Sequence, residues 1–247
     1  DDLRIVGLSA SLANARDVGE WIGVSNKSLF NFSPKVRPWP LEIYFQSFDQ
    51  SNFASRLMAM AKPVYSAVTK HMDGKSAIVY VPSRRQAQLT AIDLMTYNNS
   101  RGGEPFYNGN FLDEIEEASS SVKEPALQQV LGAGIGFVHG GMVQTDWELV
   151  IGLYRAGKIK VLVIPAELCW KVRCVAHLVI IMGTEAYDGR ERRHVEYRIV
   201  DVLHMMGRHE TGSIGKCVIM CHQPKKETLK KLLYDPLPME SHLDSFL

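Results

Sequence analysis

Residues 77–98, AIVYVPSRRQAQLTAIDLMTYN, decide the fold. The run AIVYV is continuously apolar rather than alternating, the pattern of a strand buried on both faces of a parallel sheet. Ser83 follows the strand, placed to cap a helix, and Leu89, Ile92 and Met95 fall on one face of that helix. A strand, a hydroxyl cap and an amphipathic helix in this order form one half of a βαβ unit.

The same rhythm extends outward. Strands are predicted at residues 4–8, 41–45, 136–138, 160–164, 178–182 and 217–221, several of them continuous like the first (VLVI, LVIIM, CVIMC). Helical patterns lie between them. NARDVGEWIG has Asn14 as its expected cap and Val18, Trp21 and Ile22 as an apolar face. DWELVIGLYRAG ends at Gly157, VDVLHMMG ends at Gly207, and residues 225–234 form a last helix. An α/β doubly wound, mostly parallel sheet with helices on both faces is therefore predicted. Residues 98–122 are polar and turn-rich and read as a partly mobile insertion, and SPKVRPWP at 33–40 breaks the helical pattern as a softer boundary.

Composition bounds the partners. The 247 residues are 46% hydrophobic and 22% charged, with net charge +1, so nucleic acid would have to be held by local patches. No apolar run approaches the roughly 18 residues that span a bilayer, and no membrane partner is expected. The start lacks the pattern of a signal peptide and looks cut from something longer. Of the four cysteines, Cys217 and Cys221 share a strand face but stand roughly 13 Å apart, too far for a disulfide or a shared metal. Buried thiols in a reducing compartment are the expectation for all four, and no metal site is expected.

Several motifs fail. GKS at 74–76 has Thr69 where a phosphate loop needs glycine, and it precedes a strand instead of opening a helix, which makes it a helix-to-strand turn. In GAGIGF, Phe137 takes the third glycine position of a dinucleotide fingerprint. Neither HExxH nor GxSxG occurs. DEIEE at 113–117 reads as a solvated helix face.

Six segments taken in order carry a resemblance: RIVGLSASLANARDVGEWIG, NFSPKVRPWPLEIYFQSF, AIVYVPSRRQAQLTAIDL, GIGFVHGGM, VLVIPAELCWKVRCVAHLVII and VDVLHMMGRHETGSIGKCVIM. They resemble motif III, the interdomain link, motif IV, the HHAGL-like motif, motif V and motif VI of superfamily-two DExH-box RNA helicases. The resemblance covers nearly the whole chain outside residues 98–122. It is closest to the degenerate C-terminal cassette of the spliceosomal tandem-cassette helicases, with those of activating-signal cointegrator complexes as the rival. It implies a RecA-like fold. Residues 1–30 would be the last strand and helix of a first RecA-like domain, 31–235 the second domain, and 236–247 the lead toward a winged helix.

The resemblance also implies the site. Ser9, Ser11, Gly207 and Arg208 would face nucleotide, with Arg208 the remnant catalytic arginine of motif VI. Ser83, Arg84, Arg85, His139, Lys171 and Arg173 would face RNA. ATP and magnesium would bind only in a full cassette, since the phosphate loop and DExH box belong to the first domain. Splicing-factor proteins, the active N-terminal cassette of the same parent chain and weakly bound small nuclear RNA are the implied partners, in the nucleus. His139 and His177 also admit a purely structural role, and Trp170 one in packing.

Departures weaken the motor. His204 replaces the motif VI glutamine, and Thr211 stands where a second arginine belongs. Pro165 and Glu167 replace threonines of motif V, and Lys171 and Arg173 replace a glycine and an asparagine. Proline donates no N–H, and a carboxylate repels phosphate. Two functions are thus expected to compete: a degenerate cassette acting as a protein-binding and regulatory platform, and a motor half competent once joined to its first domain. A strand at residues 4–8 would lack its parent sheet, so residues 1 to about 12 are expected to be loosely ordered, or to pair with an edge of this domain or with a second copy.

Overall fold

The computed structural model describes residues 3–33, 36–107 and 109–241. Residues 1, 2, 34, 35 and 242–247, which carry the outermost start, the middle of the predicted link and the end of the lead segment, lie outside the described residues. Contacts divide the chain into two units, one of residues 1–38 and 227–247 and the other of 39–226.

In the first unit, residues 3–10 are exposed and form no strand, contrary to the strand expected at 4–8. IVGL has the composition of a buried strand but pairs with no strand among the described residues. Pairing begins only at Leu12, which bridges in parallel to Leu237, with Leu237 N–H donating to Ser11 O and Ala13 N–H to Leu237 O, each at 2.9 Å. Helix α1 (Ala15–Ile22) follows and ends at Gly23 in the left-handed region. Asn14 does not cap it as expected. Its amide instead grips the Met239 backbone, donating to the carbonyl at 2.7 Å and accepting from the N–H at 2.9 Å. Trp21, expected on a docked face, is 82% exposed, while Gly19 packs beneath Leu29. Most of the last helix (Lys226–Tyr234) lies in this unit.

The second unit runs β1 (Leu41–Phe48), α2 (Phe53–His71), β2 (Ala77–Val81), α3 (Arg84–Ser100), α4 (Leu112–Ser121), α5 (Pro125–Leu131), β3 (Ile135–Phe137), α6 (Gln144–Arg155), β4 (Val161–Pro165), β5 (Leu178–Met182), β6 (Glu185–Asp188), β7 (Arg193–Glu196), α7 (Ile199–Met206), β8 (Gly215–His222), and α8 (Lys226–Tyr234) begins at its end. Six strands pair in parallel in the order β1-β8-β5-β2-β4-β3, a RecA-like α/β arrangement. β2 is central: Tyr80 pairs with Ile164 on one side and Ile181 on the other. Its five residues are all buried, as are those of β4 and β5, which is why these runs do not alternate.

Three features add to or refine the expectation. A nineteen-residue helix, α2, runs through Pro63, whose breaking signal hides it in the sequence. Residues 98–122, read as an insertion, instead contain α4, with Ile115 and Ala118 buried, and its acidic residues are exposed as predicted. An antiparallel hairpin, β6–β7, follows β5. The turn before β3 requires glycine: Gly134 has φ +76°, and a Cβ there would stand 2.2 Å from Phe106 O. The GKS segment is a turn between α2 and β2, with Asp73 at φ +51° and Gly74 at φ +72°. All four cysteines are buried thiols. Among the described residues no helix is long and apolar enough to cross a membrane.

Candidate nucleic-acid and nucleotide-facing sites

In a parallel sheet the carboxyl ends of the strands carry ligand-binding loops. Three strands deliver side chains there. β2 leads into Ser83, whose Oγ accepts from Gln86 N–H at 3.2 Å and caps α3. That cap fixes the first turn, from which Arg84 and Arg85 project, both exposed. β3 leads into His139, and β4 into Glu167. Arg84 Nε lies 3.3 Å from Glu167 Oε1, and the guanidinium passes over Gly140, where a Cβ would stand 3.2 Å from Nη2. Side chains of Arg84 and Glu167 are 58% and 53% exposed, so the pair adds little stability, at most about 1 kcal/mol. Its effect is on charge. The Glu167 carboxylate offsets the charge of the Arg84 guanidinium.

His139 is buried, and its Nδ1 accepts from Gly141 N–H at 3.2 Å. Its ring stacks on Phe137, and the Gln88 amide is 3.4 Å from Nε2. Burial lowers its pKa, Glu124 opposes this, and the Arg84 cation adds to the lowering. The ring is therefore neutral at neutral pH and acts as a hydrogen-bonded brace for the glycine turn. The other buried histidine, His177, has Nε2 3.5 Å from Asp73 Oδ2, without hydrogen-bond geometry, and the same carboxylate takes Lys216 at 2.5 Å.

A second cluster forms around α7. Arg208 Nη2 donates to Cys169 O at 3.1 Å and approaches His204 Nε2 at 2.7 Å. His204 stacks on Trp170 with ring centroids 3.6 Å apart, and Trp170 Nε1–H donates to Asp201 at 2.8 Å. Asp201 also takes both forks of Arg198, at 2.9 Å. Trp170, read as a packing residue, is 53% exposed and rests on this platform. Tyr80 Oη and Arg208 Nε are buried with no hydrogen-bond partner among the described residues, and burial pushes the Tyr80 hydroxyl pKa up against the lowering effect of the Arg208 cation.

The structure thus brings Ser83, Arg84, Arg85 and His139 together with Glu167, and joins Arg208, following Gly207, to His204 and Cys169. Lys171 folds over the Trp147 ring at 4.8 Å, and Arg173 is exposed. Ser9 and Ser11 lie in the first unit. Ser9 is exposed, and Ser11 Oγ donates to Asn31 Oδ1 at 3.4 Å, where Asn31 also holds the Leu12 backbone. Sequence reading missed Asp201, Arg198 and Tyr80. The three- and four-residue spacings from Arg198 to Asp201, His204 and Arg208 were the available signal.

No family model matches the chain. Curated proteins do. DExH-box ATP-dependent RNA helicase DExH12 of Arabidopsis thaliana is 47% identical over 99% of this chain. The U5 small nuclear ribonucleoprotein 200 kDa helicase of Homo sapiens is 45% identical over 98%, and activating signal cointegrator 1 complex subunit 3 of Dictyostelium discoideum is 41% identical over 100%. Its homologues are DExH-box RNA helicases. The chain spans 12% of the length of the first two relatives and 11% of the third. Similarity over the whole chain supports a fragment of such a helicase.

The GKS turn sits before β2, so its amides do not open a helix, and the Arg208 guanidinium is engaged within its own unit. Among the described residues no group of three or more His, Cys, Asp or Glu side chains is placed to hold a metal ion.

Proposed function

We propose that this chain is part of the C-terminal cassette of a spliceosomal DExH-box RNA helicase, catalytically degenerate and serving as a protein-interaction and regulatory platform. The observation that carries the reading is the Arg84–Glu167 ion pair. Glu167 stands at a motif V position, at the mouth of the loops expected to meet RNA, and it occupies the arginine best placed to take a phosphate. Thr211 supports the reading, because a neutral, short side chain cannot replace an arginine on a transferring phosphoryl group. In this reading the partners are splicing-factor proteins and the active cassette of the parent chain, in the nucleus, with small nuclear RNA held weakly.

A second reading, a motor half that binds ATP and magnesium with a first domain, is favoured by the retention of Gly207 and Arg208 at the end of α7. RNA titration at several salt concentrations separates the two. For the degenerate cassette, single-stranded RNA binds no more tightly than about 10⁻⁶ M at physiological salt. Glu167→Thr tightens binding and steepens the salt dependence by about 0.7 in log K per log salt, one phosphate contact regained. Nanomolar binding by the unaltered chain, or no response to Glu167→Thr, contradicts the reading.

A further inference from the structure

His204 lies in the last turn of α7, and Arg208 follows the Gly207 cap, where the chain turns its guanidinium back onto the His204 ring. An imidazole nitrogen accepts a hydrogen bond only when it carries no proton, whereas a guanidinium only donates. At 2.7 Å, Arg208 Nη2 and His204 Nε2 are compatible with a neutral ring whose proton is on Nδ1. We propose that His204 is a proton-sensitive positioning residue for Arg208, its neutral ring and the Cys169 carbonyl together latching the guanidinium against its own domain. This deepens the reading of a degenerate cassette and rests on it for its consequence: the one motif VI arginine left is withheld from a nucleotide while His204 is neutral.

The surroundings support a two-position device. Cys169 O lies 3.1 Å from both Arg208 Nη2 and His204 Nε2. With the ring neutral, the carbonyl accepts from arginine. With the ring protonated, Nε2–H donates to the same carbonyl, and a second positive charge stands beside Arg208. The ring cannot swing away cheaply, because Trp170 stacks on it and is itself tied to Asp201. The charged groups facing the pair are Asp201 with its partner Arg198 on α7 and its cap. Cys169 and Cys174 face it from the segment between β4 and β5, and Tyr80 from β2. Burial lowers the His204 pKa most, and the Arg208 cation lowers it further, against the opposing Cys169 carbonyl and Asp201. The latch is therefore closed at neutral pH and opens on acidification.

Nitrogen and carbon NMR of the histidine rings in the full chain tests this. At neutral pH His204 is expected as the Nδ1–H tautomer, titrating below the ordinary histidine value, and its midpoint rises in Arg208→Gln. By the same coupling, guanidinium protons of Arg208 exchange faster as His204 protonates, and in His204→Gln, which keeps an acceptor that does not titrate, their exchange loses that pH step. An Nε2–H tautomer at neutral pH, or an unchanged midpoint in Arg208→Gln, overturns the proposal. The tautomer in the unaltered chain decides even if Arg208→Gln fails to fold. ATP turnover by the assembled cassette would sink the degenerate reading but leave this coupling standing, so the two failures are distinguishable.

Discussion

The buried ion pair between α2 and the β6–β7 hairpin sets a measurable cost. Arg56 is 5% exposed, donating from Nη1 to Gln50 O at 2.6 Å and Ser51 O at 3.1 Å, and from Nη2 to Glu185 at 2.8 Å. Breaking a buried pair by removing one partner costs about 3–5 kcal/mol, because the remaining charge is left uncompensated. Two carbonyls would still satisfy Nη1, and the Glu185 side chain is 16% exposed, so Glu185→Leu belongs at the low end, about 3 kcal/mol. Glu185→Gln keeps an acceptor for Nη2 and loses only the charge assistance, about 1 kcal/mol. At about 2–4 °C per kcal/mol for a chain of this size, Glu185→Leu lowers the melting temperature by about 6–12 °C and Glu185→Gln by about 2–4 °C. The double change Arg56→Met with Glu185→Leu recovers most of the loss, since neither charge is then buried alone. Thermal and urea melts followed by circular dichroism measure all four members of the cycle. A Glu185→Leu melt within about 1 °C of the parent, roughly 0.3–0.5 kcal/mol on that scale, would show that water or a neighbouring group replaces the carboxylate.

The isolated chain is expected to hydrolyse no ATP above background, and turnover that survives purification and disappears in Arg208→Ala would refute this. Deleting residues 1–10, all exposed or outside the described residues, is expected to leave the melting temperature unchanged and to reduce self-association in sedimentation, because Leu3, Ile5, Val6 and Leu8 leave the surface with them. A fall of several degrees in a monomeric sample would instead make the segment integral. Burial lowers the pKa of both His139 and His204, so the unfolded chain binds more protons near their ordinary value. Their contribution to stability is therefore present above the ordinary histidine value and is lost as pH falls toward their folded values. Unfolding free energy measured across that window declines with acid, and replacing both with glutamine flattens the slope; an unchanged slope would exclude them as its source.

Pattern reading located the parallel strands because burial on both faces leaves a composition no exposed strand tolerates. The same rule marked residues 4–8 as a strand, which they do not form; the expectation that they would lack a parent sheet is what matches their exposed course. The hairpin escaped for the opposite reason. Its residues Tyr187, Arg193 and His194 are exposed, so hydrophobic alternation is weak, although Asp188-Gly189 is a turn signal. Asp188 Oδ1 accepts the N–H groups of Arg190 and Glu191 and fixes that turn locally. Arg84, Arg85, His139 and Glu167 could be proposed as neighbours from their places after consecutive strands, given a parallel sheet. The grip on Arg208 was not legible, because half of it is the carbonyl of Cys169, a group every residue carries and only the path of the chain can bring there.

The side chains of these loops share a physical direction. Glu167 answers Arg84 with a carboxylate, and His204 answers Arg208 with a lone pair. Asp201 binds both Arg198 and Trp170, while Lys171 covers Trp147. In each case a group able to meet a phosphate or a base instead meets a partner on the same domain. Such satisfaction adds little stability at exposed sites, where ion pairs are screened, so stability is a poor explanation for the pattern. It does lower the positive potential presented to an anion, and it fixes side chains that a ligand would otherwise have to order. A patch whose charges are internally paired is poorly suited to counterion release. It is better suited to protein contact, where an exposed aromatic such as Trp170, ringed by paired polar groups, can be buried without stranding a charge.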